Sequence, residues 1–165
     1  MKTVRPFRAS RALLLVVVAL VAFAGASSAQ TDPAVGTWTL NVAKSKYDPG
    51  PAPKSNTVTI EAAGQGSKVT AKGVDAAGAP TGTQYTATYD GKDSPVMLTG
   101  SQDYDAIALT RVNATTVEGS RKKGGKVVQS YRREVSKDGK TMTITTKGTN
   151  AKGQQVNNVV VFDKK

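Results

Sequence analysis

The residues best suited to chemistry in this sequence are a few arginines and tyrosines at strand-like spacing. Tyr131 and Arg133 stand two apart in the run 127–135, where alternation places them on one face with Val127 and Val135. Arg132 faces the other way with Val128 and Ser130. An inward guanidinium is a planar fork of donors suited to a carboxylate or phosphate. Tyr85, aligned with Ala87 and Tyr89 in a second such run, would add an aromatic wall. Arg111 and Arg121, on two other strands of the same region, have the same potential. Alternation leaves the opposite choice open, a solvated outer face whose long stems cover apolar surface. Trp38, the single Trp, shares a face with Leu40 and Val42 and reads as a core indole that can also floor a pocket. The candidate ligand-binding set is therefore Trp38, Tyr85, Tyr131 and Arg133, suited to a small amphipathic or anionic ligand.

The absences are as informative. The chain has no His and no Cys. Nucleophile–histidine triads are excluded, and the main ligands of zinc, copper, haem and iron–sulfur centres are missing. Of the carboxylates, Glu61, Glu118 and Glu134 lie in strand-like runs, while Asp75, Asp90, Asp93 and Asp138 lie in turn signals. Aspartates at turns serve the turn, and no spacing brings two carboxylates together for acid–base work. No catalytic residue, metal or cofactor is expected.

Residues 1–29 carry Lys2, Arg5, Arg8 and Arg11, an apolar run over 12–24 and a small-residue stretch ending at Ala29. A basic segment, a short apolar core and a small-residue cleavage site form a secretory signal peptide, with Ala29–Gln30 as the expected bond. The apolar run is shorter than the ~20 residues that span a bilayer, and no Cys follows it for lipid attachment. The expectation is a leader over 1–29 and one domain over 30–165, periplasmic or secreted, monomeric, with no transmembrane segment after cleavage. The leader takes four of the 23 Lys and Arg and none of the 12 Asp and Glu, which leaves a mature charge of +7. A basic turn, Arg121-Lys122-Lys123-Gly124-Gly125-Lys126, suits an anionic envelope surface or a soluble, edge-protecting loop. Nucleic acid is not expected of an exported chain without an aromatic platform.

From Val35 onward, strand signals recur about every ten residues and no helical period is sustained. Strands are predicted over 36–42, 57–62, 68–74, 83–89, 95–98, 104–112, 115–122, 127–135, 141–147 and 155–162. The segment 43–55 contains Pro49, Pro51 and Pro53 and reads as a loop. Asp90-Gly91, Gly124-Gly125 and Asp138-Gly139 are tight-turn signals. Short links pair sequential strands antiparallel. The predicted fold is all-β: an up-and-down meander of about 8–10 strands, closed or nearly closed into a barrel, because closure removes exposed edges. An open two-sheet sandwich is the alternative.

Gly36-Thr37-Trp38 at the first strand, Gln102-Asp103-Tyr104-Asp105 before a late strand, and Arg121 at the end of the strand after that resemble the pattern of calycins, the lipocalins and fatty-acid-binding proteins. The chain from Val35 to Lys165 is similar in length to the small lipocalin-like proteins that bacteria export. The resemblance implies a barrel with Trp38 packed across one end and Arg121 laid over it. It departs from lipocalins in its strand count, and from fatty-acid-binding proteins in lacking a two-helix lid and a carboxylate-binding R-x-Y on the last strand. The expected function is non-catalytic binding of a small amphipathic or anionic ligand. The rival is a solid basic barrel that acts as an interaction protein or inhibitor on an envelope polymer or protein partner.

Overall fold

Ten short, alternating runs joined by tight turns leave the chain one economical arrangement, and the computed structural model adopts it. It describes residues 32–165; the expected leader lies outside them. The strands are β1 (Gly36–Leu40), β2 (Ser55–Ala63), β3 (Gly66–Val74), β4 (Pro80–Thr88), β5 (Asp90–Thr99), β6 (Ala106–Arg111), β7 (Thr116–Lys123), β8 (Lys126–Val135), β9 (Thr141–Thr149) and β10 (Gln155–Lys164). Each pairs antiparallel with its sequence neighbours, and β1 pairs with both β2 and β10, so the sheet is a closed barrel. Among the described residues there is no helix, and so none long and apolar enough to cross a membrane.

Alternation sets the two faces. Inward positions include Val58 and Ile60 of β2, Val69 of β3, Tyr85 and Ala87 of β4, Tyr131 and Val135 of β8, and Met142 of β9, all buried. Outward positions such as Glu61, Lys68, Lys72, Gln84 and Thr86 are exposed. This polarity is the reverse of a barrel whose outer wall faces lipid.

A meander also separates the two ends. The β2–β3, β4–β5, β6–β7 and β8–β9 turns lie at one end, hereafter the floor, with the segment that enters β1. The β3–β4, β5–β6, β7–β8 and β9–β10 connections and the long loop 41–54 lie at the other, the mouth. Trp38 closes the floor. It is fully buried, its indole N–H donates to the Ala34 carbonyl at 2.7 Å, and Lys164 Nζ sits 5.0 Å from its ring centroid.

Local departures from the predicted strands have identifiable causes. β1 ends at Leu40, because the Asn41 side chain donates to Asp163 at 2.6 Å and accepts the Lys44 N–H at 3.0 Å. This side-chain turn competes with the ladder, and Val42 is exposed rather than aligned with Trp38. β5 is ten residues long despite Pro95. The β4–β5 ladder stops at Tyr85–Val96, so the missing N–H of Pro95 falls where β4 makes no pair. Between Arg121 and Lys122 the β7–β8 register shifts by one residue. This bulge turns Val127 outward, off the face of Tyr131 and Arg133 where strict alternation placed it. Gly119, opposite Leu109, sits where a Cβ would overlap the Ala108 carbonyl oxygen. Only glycine permits so close an approach of β6 and β7.

Candidate functional site

The upper half of the barrel encloses a cavity of about 220 Å³. Its wall is apolar towards the floor, with Val58, Ile60, Val69, Ile144, Val160 and Phe162. Towards the mouth it becomes polar, with Asn56, Thr83, Thr146 and Asn158, and loop 41–54 contributes Tyr47 and Pro53. The aromatic wall is Tyr85, Tyr104 and Tyr131.

Arg121 is the cation of this cavity. Its guanidinium carbon lies 4.6 Å from the Tyr104 ring centroid and 5.1 Å from that of Tyr131. Its Nη1 donates to Gln129 Oε1 at 3.1 Å, while Nε is buried with no partner. Among the described residues no carboxylate lies within ion-pair distance of it. The aromatic rings stabilise the cation through their faces but leave its in-plane donors available. A buried donor without a partner is costly, and an anion entering the cavity would satisfy it.

A second polar cluster lies below, at the floor. Arg133 of β8 is 2% exposed. Its Nη2 donates to the Tyr89 hydroxyl at 2.9 Å and lies 3.4 Å from Asp32 Oδ2. The same carboxylate oxygen accepts Arg111 Nη2 and the Tyr89 hydroxyl, each at 2.7 Å, and Oδ1 accepts the Ala34 N–H at 2.9 Å. Burial works to raise the Asp32 pKa, but these donors and the Arg133 charge outweigh it and hold the carboxyl below its ordinary value.

The four residues singled out from the sequence therefore divide. Tyr85 and Tyr131 line the cavity. Trp38 lies beneath it as the floor plug, and Arg133 is turned inward but engaged by Asp32 and Tyr89 rather than lining the cavity. Arg132 faces outward and bridges Glu118 and Glu134. Arg121 does not lie over Trp38, as the calycin pattern implies; Lys164 takes that place. No protein-family model, curated protein or solved structure matches the chain. Site assignment therefore rests on geometry alone.

Pattern reading missed Asp32 and Tyr104 as site residues. Tyr104 was expected to open a strand; it sits instead in the β5–β6 connection, buried under Arg121. An isolated aromatic between Asp103 and Asp105 is a signal for such an anchor, since a ring in a polar loop is there to be buried. The basic turn at the mouth is partly neutralised, with Lys122 on Asp93 at 2.6 Å and Lys123 on Asp105 at 3.8 Å.

Burial raises the phenol pKa of Tyr85 well above its ordinary value, and Tyr131 beside it adds to the rise. Burial likewise raises Tyr131, and it pushes Tyr47 up to about 12. The folded state thus prefers the neutral phenol more strongly than the unfolded chain does. The stability this preference contributes is complete below pH 10 and is lost as pH rises through the folded-state values. Tyrosinate absorbance should show Tyr47, Tyr85 and Tyr131 titrating late and together with alkaline unfolding. Five phenols ionising near the ordinary value, with the fold intact, would contradict the buried wall.

Proposed function

We propose that this barrel is an exported, lipocalin-like binding protein that carries a small amphipathic anion without catalysis. One observation supports the reading above all. Arg121 stands against the Tyr104 and Tyr131 rings where the cavity turns polar, with a buried Nε that has no partner and, among the described residues, no carboxylate within ion-pair distance. Leaving a buried donor unsatisfied is unfavourable, and a ligand carboxylate supplies the missing partner. The polar mouth and apolar depth match a molecule with one charged end.

Size narrows the class. Drug-sized ligand pockets run to about 300–1,000 Å³, and this cavity of about 220 Å³ falls below that range. A dry cavity of about 150 Å³ accepts benzene, so the space suits one ring or a short branched chain plus its carboxylate. A longer chain would have to extend past Arg121 into the mouth spaces of about 160 and 240 Å³ that share its lining.

Calorimetric titration with matched pairs, benzoate against benzamide and phenylacetate against phenylacetamide, tests this directly. The carboxylates should bind more tightly than the amides, because an amide carbonyl can accept from Nε but only the anion also neutralises the guanidinium. Native mass spectrometry of protein taken from an expressing host's periplasm should show a small acidic passenger. An absence of binding across the panel, with a clean apo mass, would favour the rival, a solid barrel that works through its surface.

A further inference from the structure

The floor holds more cationic donors than its one acid uses. Arg133 and Arg111 come from β8 and β6, Tyr89 from the β4–β5 turn, and Ser67 Oγ of β3 lies 3.0 Å from the Tyr89 hydroxyl. Three separate parts of the barrel thus aim donors at one point, which Asp32 Oδ2 occupies, and Ser67 backs one of them, Tyr89. Two guanidiniums face one carboxylate, and Arg133 Nη1, on a side chain 2% exposed, has no partner at all.

Asp32 is not part of the barrel wall. It belongs to a short strap before β1, tied by the Asp32 carbonyl accepting the Val35 N–H at 2.9 Å and by the Ala34 N–H on Asp32 Oδ1. The donors, by contrast, are fixed by strand pairing: Arg133 is registered opposite Val117 and Ile144, and Arg111 opposite Val117. Outside this point lies a surface concavity lined by Asp32, Tyr89, Arg111, Gly66, Ala62 and Asn113, which gives solute a path to it.

We infer that the floor is a carboxylate-binding site in its own right, and that Asp32 is its tethered occupant. The donors are organised without Asp32, so removing its side chain leaves a preformed receptor for a free carboxylate of the same size. In the native chain the tether holds Asp32 at an effective concentration of millimolar order or above, which excludes weak free anions. The strap that carries Asp32 also carries Ala34, the cap of Trp38, so exchange at this site would uncover the indole. The site lies below the ligand cavity and none of its residues lines that cavity, so the inference is independent of what the cavity binds.

Chemical rescue is the test. Asp32→Ala should lower Tm, and acetate or formate should restore it along a saturating curve with millimolar affinity. Sodium chloride at matched ionic strength should not. The wild-type protein should respond to acetate more weakly than Asp32→Ala, since its site is filled. Asp32→Ala/Arg133→Met should lose the saturable response. If Asp32→Ala does not fold alone, recovery on refolding is measured in acetate against chloride, and acetate-dependent recovery supports the site equally. An acetate response no better than chloride, or one that survives in the double variant, would overturn it and leave Asp32 as a structural ion-pair partner only.

Discussion

Trp38→Ala is expected to bring the barrel close to global unfolding. Trp38 is fully buried on the shortest strand, between Val58 of β2 and Lys164 of β10 in register. β1 joins the two ends of the meander, so the indole stabilises the closing seam as well as the floor. Truncating a buried Trp to Ala typically costs about 3–5 kcal/mol. A domain of ordinary stability has only about 5–15 kcal/mol in total. Trp38→Phe keeps most of the packing and loses chiefly the indole bond to Ala34, worth about 1 kcal/mol. Urea denaturation followed by far-ultraviolet circular dichroism checks both variants. Equal, small losses would mean that the seam is held by backbone pairing and not by the plug.

Arg121→Met is expected to weaken anion binding strongly and to leave the protein no less stable. The two effects have one cause. A guanidinium whose Nε is buried without a partner is a liability in the free protein, and replacing it with an apolar side chain of similar volume is expected to be neutral or stabilising. With ligand present the same group is the anchor, and losing one side of a desolvated charge pair costs about 2–5 kcal/mol. Affinity for benzoate should therefore fall about 30-fold or more. Arg121→Lys keeps the charge but loses the planar fork, and should bind with intermediate affinity. Calorimetry and thermal unfolding on the same samples separate these effects. A destabilised Arg121→Met would show that Arg121 is a structural strut clamped by Tyr104 and Tyr131, and would remove the main support for a ligand site there.

Much of the architecture was legible before any coordinates because its causes are local. Gly124-Gly125 and Asp138-Gly139 fall at turns, with positive φ at each glycine, since turn chemistry is decided within a few residues; Asp90-Gly91 instead opens β5 at an irregularity of its ladder with β6, and the chain turns one residue earlier, at Tyr89. Period-two alternation marked the strands. Short links made the meander antiparallel and closure the way to leave no edge, and the absence of His and Cys bounded the chemistry.

What the chain could not disclose by itself was which face is inside and how high along the barrel each side chain sits. Arg132 and Arg133 are neighbours with similar surroundings in sequence, yet one bridges two surface glutamates and the other is buried in the floor. Only closure of ten strands in one register decides between them. Arg121 and Trp38 are kept apart for a related reason. β7 climbs from the floor turn to the mouth, and at about 3.3 Å per residue Arg121, five positions past Thr116, ends far above the plug. The Asp32 cluster needed tertiary structure most. Its donors come from the β4–β5 turn, β6 and β8, with Ser67 of β3 behind Tyr89, and no pattern along the chain links them. Strand and turn follow from interactions between near neighbours, whereas a site is a meeting of distant residues that exists only once the barrel has closed.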